Sequence, residues 1–185
     1  MKPILVASMG RAGSTLIHDV LKREYHDEGF IMPERDTKLK YNCLYKTHSF
    51  AYQIPKDSKV IYMFANPYNV VISSHIHTNL PLHYEHLQGL WHKHSQWMDF
   101  DSLCLEDNFD SFFAGQFQGE LMTVKYETLK DHTKDIEDFL GKKLTWPPIV
   151  PRRTDWKTHE YADRINLTYR RLYAKWLEAP EIEIW

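Results

Sequence analysis

An apolar run at residues 3–8 leads straight into Met9-Gly10-Arg11-Ala12-Gly13-Ser14-Thr15. Glycine is scarce, with seven in 185 residues, yet Gly10 and Gly13 flank Arg11-Ala12. A strand that ends in a glycine turn and opens a helix at two hydroxyl residues has a definite chemical use. The first N–H groups of a helix lack internal acceptors, and the helix dipole adds partial positive charge there. Glycine lets a ligand oxygen approach the backbone. Together these make a cradle for phosphate, to which Arg11 adds a full charge and Ser14 and Thr15 add donors. The nucleoside-triphosphate loop requires Gly, four residues, then Gly-Lys-Ser/Thr. Aligned on Gly13, the Lys position holds Ser14 and the first Gly position holds Ser8. No Asp follows the apolar run 60–64 to hold magnesium, so a nucleoside-triphosphate kinase is disfavoured. The same residues without a ligand would be a tight strand–helix turn.

Further reactive side chains stand at the ends of other apolar runs. Tyr45-Lys46-Thr47-His48 closes one, and His48 has the side chain best suited to exchange a proton near neutral pH. Asn66-Pro67 follows residues 60–64, with Ser73 further on. Tyr126-Glu127 follows residues 121–125. Arg152-Arg153-Thr154-Asp155-Trp156-Lys157 lies near the end. Each has a plainer reading: a solvated turn for Arg11, a surface histidine for His48, a hydroxyl facing its own helix for Ser73, and packing for Tyr126. Six histidines, His75, His77, His83, His86, His92 and His94, crowd one stretch. Residues two apart on a helix point in different directions, and no Cys or regular carboxylate pattern completes a zinc site. No metal site is expected, and a polar face or pocket lining is the better reading.

The elements that must position these groups follow from periodicity. Residues 3–8, 43–46, 60–64 and 121–125 read as strands. Residues 14–26 read as a helix, with Leu16, Ile17, Val20, Leu21 and Tyr25 at three-to-four spacing. A helix is expected from Pro67 through 70–77, since a first turn tolerates proline. Others are expected over 84–98, 107–117, 131–140 (ended by Gly141) and 159–177. Tyr169, Tyr173 and Trp176 on the last either pack inward or form a homodimer surface. Residues 146–151 read as extended. Strands alternating with helices imply an α/β fold with a mainly parallel sheet flanked by helices. The whole chain, 1–185, reads as one domain. Ligands in such folds bind beyond the carboxyl ends of the strands, where the 10–13 turn lies.

Composition limits the function classes. Apolar residues make up 43% and charged residues 26%, an ordinary globular balance that opposes disorder. Lys plus Arg number 23 against 25 Asp plus Glu, so no broad basic surface for nucleic acid is expected. Cys43 and Cys104 do not make a disulfide framework, and free thiols suit a reducing compartment. No apolar run reaches membrane-spanning length, and residues 1–8 are too short and too soon interrupted for a signal peptide. These features predict a cytoplasmic protein with no membrane partner.

The blocks, in this order, resemble the sulfotransferases that use 3′-phosphoadenosine 5′-phosphosulfate (PAPS), especially the cytosolic type. Arg11-Ala12-Gly13-Ser14-Thr15 is similar to that family's 5′-phosphosulfate loop, a P-loop-like element after the first strand. Lys46-Thr47-His48 is similar to its Lys-Thr-His, whose His is the catalytic base. Residues 60–73 are similar to its 3′-phosphate element, Tyr126-Glu127 to a Tyr-Glu that reaches the nucleotide, and Asp155-Trp156-Lys157 to its C-terminal Asp-Trp-Lys. The resemblance covers most of the chain in short pieces, and it agrees with the α/β reading. It implies transfer of a sulfuryl group from PAPS, as co-substrate, to a hydroxyl or amine on a small or saccharide-like acceptor, without a metal. His48, Arg11 and Lys46 would be catalytic. Arg11, Ala12, Gly13, Ser14, Thr15, Ser73, Tyr126, and Arg152 or Arg153 would hold the nucleotide.

The pattern also departs from the family. Ala65 stands where an Arg usually precedes the Asn, which removes a charge-assisted contact to the 3′-phosphate. Residues 11–48 and 141–152 are short, and Leu16 replaces a frequent Trp. An open pocket, or one completed by a second subunit, would follow. The alternatives are a non-catalytic nucleotide-binding module of the same fold and an atypical small kinase.

Overall fold

Residues 4–8 form β1 (Ile4–Ser8), whose side chains are all buried. In the computed structural model, which describes residues 1–76, 99–150 and 154–185, this strand lies between two parallel neighbours, β3 (Cys43–Thr47) and β4 (Lys59–Phe64). A strand covered on both faces reads as a continuous apolar run, which is why β1 and β4 were legible. The full sheet has six strands in the order β2-β3-β1-β4-β5-β6. Here β2 is His26–Phe30, β5 is Glu120–Lys125 and β6 is Ile182–Ile184. All pairings are parallel except β5 with β6. The fold is α/β, a mixed sheet of mostly parallel strands with flanking helices.

The helices are α1 (Ser14–Leu21), α2 (Pro67–Ile76), α3 (Leu105–Phe113), α4 (Thr133–Leu140) and α5 (Ala162–Glu178). Helix α1 packs on β1 and β3, and α2 packs on α5. Gly141, at φ 67°, terminates α4. Tyr169 is buried, and Tyr173 and Trp176 are partly buried against the core, so this stripe of α5 packs inward. The core is rich in aromatic rings. Tyr62 of β4 is fully buried, stacks on Phe112 at 3.8 Å, and donates its hydroxyl to Asn108 Oδ1 at 3.0 Å.

Two expectations need correction. The helix read over residues 14–26 stops at Leu21, and residues 26–30 form β2 instead. This edge strand is half-exposed, contains Gly29 at φ 83°, and shifts register between Asp27 and Phe30. It therefore has no alternating apolar pattern to read. Strand β6 was also missed, being three residues at the other edge. The expected helix over 84–98 lies outside the described residues. Among the described residues, no helix is long and apolar enough to cross a membrane. Cys43 and Cys104 are not joined in a disulfide.

Candidate functional site

Four parallel strands, β1, β3, β4 and β5, end on one side of the sheet, so the residues that follow them meet there. The chain leaves β1 toward β3 and leaves β4 toward β5. The crevice of such a sheet lies where those directions part. Strand register sets finer positions. Ala7 pairs with Thr47, so Ser8 and His48 emerge side by side. Phe64 pairs with Lys125, so Asn66 and Glu127 emerge together, and Asn66 N–H donates to Glu127 Oε1 at 2.9 Å.

The loop after β1 is tightly coiled. Gly10, Arg11 and Gly13 have φ of 77°, 44° and 85°. A left-handed Arg is uncommon, and such backbone strain concentrates at functional sites. Gly13 is needed twice over. Besides its φ, a Cβ there would lie 2.1 Å from Cδ2 of Tyr126, so the Tyr126 ring rests on the loop backbone. Gly13 caps α1 without a side-chain acceptor; Leu16 N–H turns back to the Gly13 carbonyl at 3.0 Å, and a helix start of this kind suits an anion. Ser14 is buried and Thr15 exposed beside them.

His48 is not a surface histidine; it is 6% exposed. Its Nδ1 lies 3.0 Å from the backbone oxygen of Ser8 and 3.0 Å from Ser8 Oγ. Ser8 Oγ donates to Ser14 Oγ at 3.0 Å and accepts from Gly10 N–H at 3.3 Å. A carbonyl oxygen can only accept, so Nδ1 carries the proton. In the neutral ring the basic lone pair is then on Nε2. From the other side, Asn108 Nδ2 donates to the His48 carbonyl at 3.2 Å. The Phe30 ring centre lies 5.4 Å from the imidazole. Tyr62, Asn108 and His48 thus form a continuous line from core to site.

Lys46, near the end of β3, donates to Thr15 Oγ1 at 2.7 Å. Burial lowers its pKa, Asp19 raises it and Arg11 lowers it. Arg11 is lowered by burial as well. Arg11 Nε donates to Ser73 Oγ on α2 at 3.2 Å, and Ser73 is 8% exposed. Ser73 therefore faces the loop and not its own helix backbone. Helix α2 is aimed by Asn66, whose Oδ1 accepts from the N–H groups of Tyr68 and Asn69 at 3.0 and 3.3 Å. Ala65 is fully buried and places no charge here.

The Asp155-Trp156-Lys157 block docks against the start of α2. Trp156 N–H donates to Asn69 Oδ1 at 3.0 Å, and its ring lies 4.5 Å from Tyr68. Between this block and Tyr126 lies a cavity of about 320 Å³ whose lining includes Asn69, Tyr126, Glu127, Lys130, Ile149 and Thr154. Tyr126 OH donates to the Val150 carbonyl at 3.5 Å at its rim.

The chain matches no family model and no curated protein. Solved structures are similar, with 17 matching chains. One of them is the mouse sulfotransferase SULT7A1 complexed with PAP, at 16% identity and a TM-score of 0.42. The similarity covers 92% of this chain and 66% of that one. The chain thus spans just under two thirds of the length of that protein.

The structure brings Arg11, Ala12, Gly13, Ser14, Thr15, Lys46, His48, Ser73 and Tyr126 around one loop. Arg152 and Arg153 lie outside the described residues, as do the histidines at 77, 83, 86, 92 and 94. His75 falls within α2. Among the described residues, no group of three or more His, Cys, Asp or Glu could hold a metal ion. Ser8, Asn108 and Phe30 were missed as site residues. Only Ser8 carried a signal, as a hydroxyl at the last strand position before a glycine turn. Chemically, the arrangement offers an anion cradle, two cations and an imidazole with an oriented lone pair.

Proposed function

We propose that this protein is a PAPS-dependent sulfotransferase acting on a hydroxyl or amine of a small or saccharide-like acceptor. The observation that carries the reading is the fixed tautomer of His48. A buried imidazole held at Nδ1 by a backbone carbonyl, next to an anion-binding loop, is a general base facing a phosphate site.

In the reaction, His48 Nε2 takes the proton of the acceptor O–H or N–H as the acceptor atom bonds to sulfur. The bond from sulfur to the 5′-phosphate oxygen breaks, and adenosine 3′,5′-bisphosphate (PAP) leaves with that electron pair. Such transfers depend on in-line placement and on stabilising the charge of the moving group and its leaving group. Lys46 and Arg11 supply that charge stabilisation. The N–H groups of residues 12–15 and the Ser14 and Thr15 hydroxyls hold the 5′-phosphate. Ser73, with Arg11 and an Arg from 152–153, holds the 3′-phosphate. The cavity beside Tyr126 takes the adenosine, a volume within the range of small-molecule sites. The unjoined thiols of Cys43 and Cys104 suit a cytoplasmic setting.

A second reading, a nucleotide-binding module without activity, is favoured by buried Ala65. Transfer of radiolabelled sulfonate from PAPS to a panel of phenols, amines and sugars distinguishes the two. Turnover that disappears in His48→Ala supports the enzyme. Turnover that survives the change excludes His48 as base. Absence of transfer to every acceptor, with PAP binding intact, supports the module.

A further inference from the structure

The end of the sheet opposite the loop holds a second, larger groove, with a volume of about 590 Å³. Pro3 and Ser58, which line it, precede β1 and β4. The groove and the loop therefore lie at opposite ends of the same strands and share no residue.

Two tight turns form its walls, and each presents a cation next to a carboxylate. One carries Arg35-Asp36 and is closed by Thr37 N–H to the Glu34 carbonyl at 2.8 Å and Glu34 N–H to Thr37 Oγ1 at 2.9 Å. The other carries Lys56-Asp57 and is closed by Ser58 N–H to the Pro55 carbonyl at 3.2 Å. Lys38 adds a third cation, and Tyr41, 70% exposed, adds an open aromatic face. Neighbouring charges are already matched. Lys2 and Lys59 pair with Glu120 at 3.0 and 2.9 Å, and Lys40 pairs with Glu28 at 2.9 Å. Among the described residues, none of the five groove charges is in an ion pair. Ser58 also lines the groove. It is 0% exposed, and its hydroxyl is buried without a hydrogen-bond partner.

This mixture selects among ligand chemistries. A simple polyanion would use Arg35, Lys38 and Lys56 but be repelled by Asp36 and Asp57. A neutral sugar would give hydroxyl donors to the carboxylates and leave three cations unused. A saccharide with both anionic groups and hydroxyls uses every group present, with charge-assisted bonds to the cations and a ring face on Tyr41. We infer that this groove binds an acidic saccharide, one carrying carboxylate or sulfate groups beside unmodified hydroxyls. The inference does not rest on the transferase reading.

The test is calorimetric titration of the full chain with a chondroitin sulfate disaccharide. Inorganic sulfate, maltose and an oligoglutamate peptide serve as comparison ligands. The disaccharide is expected to bind more tightly than all three. Arg35→Glu and Lys56→Glu should each weaken it by at least about tenfold, since each removes a charge-assisted contact and sets a carboxylate against the ligand's anionic groups. Tyr41→Ala and Asp57→Asn should weaken it too. Lys46→Met, at the other end of the sheet, should leave it unchanged. Circular dichroism matched to the parent shows that each variant folds, and Arg35→Gln and Lys56→Gln replace any that does not. No binding, equal binding of any comparison ligand, or binding lost in Lys46→Met but kept in Arg35→Glu would overturn the inference.

Discussion

The Nδ1 of His48 is held twice by Ser8, through the backbone oxygen at 3.0 Å and through Oγ at 3.0 Å. The parallel register that pairs Ala7 with Thr47 brings the two residues together. The same strand end thus supplies both the glycine loop and the orientation of the His48 ring. His48→Ala should lower kcat by about 10²- to 10⁴-fold, the usual contribution of a positioned general base, while PAP affinity stays near that of the parent. Ser8→Ala keeps the carbonyl contact and should lower kcat less. Steady-state kinetics on both variants check this, and equal losses would contradict it.

Gly13 and Tyr126 should behave as a steric pair. Gly13→Ala drives a Cβ into the Tyr126 ring and adds strain of about 1 kcal/mol from its left-handed backbone. The single change should destabilise the fold by several times that strain. In the Tyr126→Ala background the same change should cost only about the backbone part. Denaturant unfolding of the four proteins measures the difference. Additive effects would mean that the ring does not press on the loop.

The contact from Arg11 Nε to Ser73 Oγ joins the loop to α2. Under the proposed function, with Ala65 neutral, Arg11 would serve both ends of the nucleotide. Arg11→Ala should reduce the preference for PAP over AMP by about tenfold, as loss of one charge-assisted bond implies. Ser73→Ala should act less strongly, and the double variant should lose less than the sum. An unchanged PAP-to-AMP ratio in Arg11→Ala would remove Arg11 from the 3′-phosphate.

Asp101 predicts a pH dependence of stability. Burial pushes its carboxyl from 3.8 up to about 6, against opposing hydrogen bonds from the backbone of Glu106 and Leu105. Its Oδ1 is buried without a hydrogen-bond partner. A raised carboxylate pKa means that the folded state holds the proton more tightly. This contribution is full below the unfolded pKa and is lost as pH rises through about 6. Asp101→Asn keeps an acceptor for the backbone N–H groups and cannot ionise. Its stability relative to the parent should therefore rise between about pH 4 and pH 7, by up to about 3 kcal/mol. Thermal melts across that range check it, and a constant difference would contradict the burial effect.

The sequence made the centre of this fold readable and left its edges obscure. Strands β1 and β4 are buried on both faces and show as unbroken apolar runs. Strand β2 is exposed, contains Gly29 and slips register, so nothing marked it apart from the helix before it. The loop was legible because scarce glycines flanked Arg11-Ala12. That Lys46 and His48 would reach this loop was suggested by resemblance; register accounts for it physically. Asn108 stayed hidden because its role depends on Tyr62, which comes close only through packing of α3 on the sheet. The register slip in β2 likewise has no marker in the residue pattern.

Titrating the chain with PAP, with AMP and ATP as comparison ligands, decides whether the loop after β1 is a nucleotide site. PAP should bind at least about tenfold more tightly than either, since only PAP would engage the cradle and the Arg11–Ser73 contact together. No binding of PAP, or equal binding of ATP, would contradict the assignment.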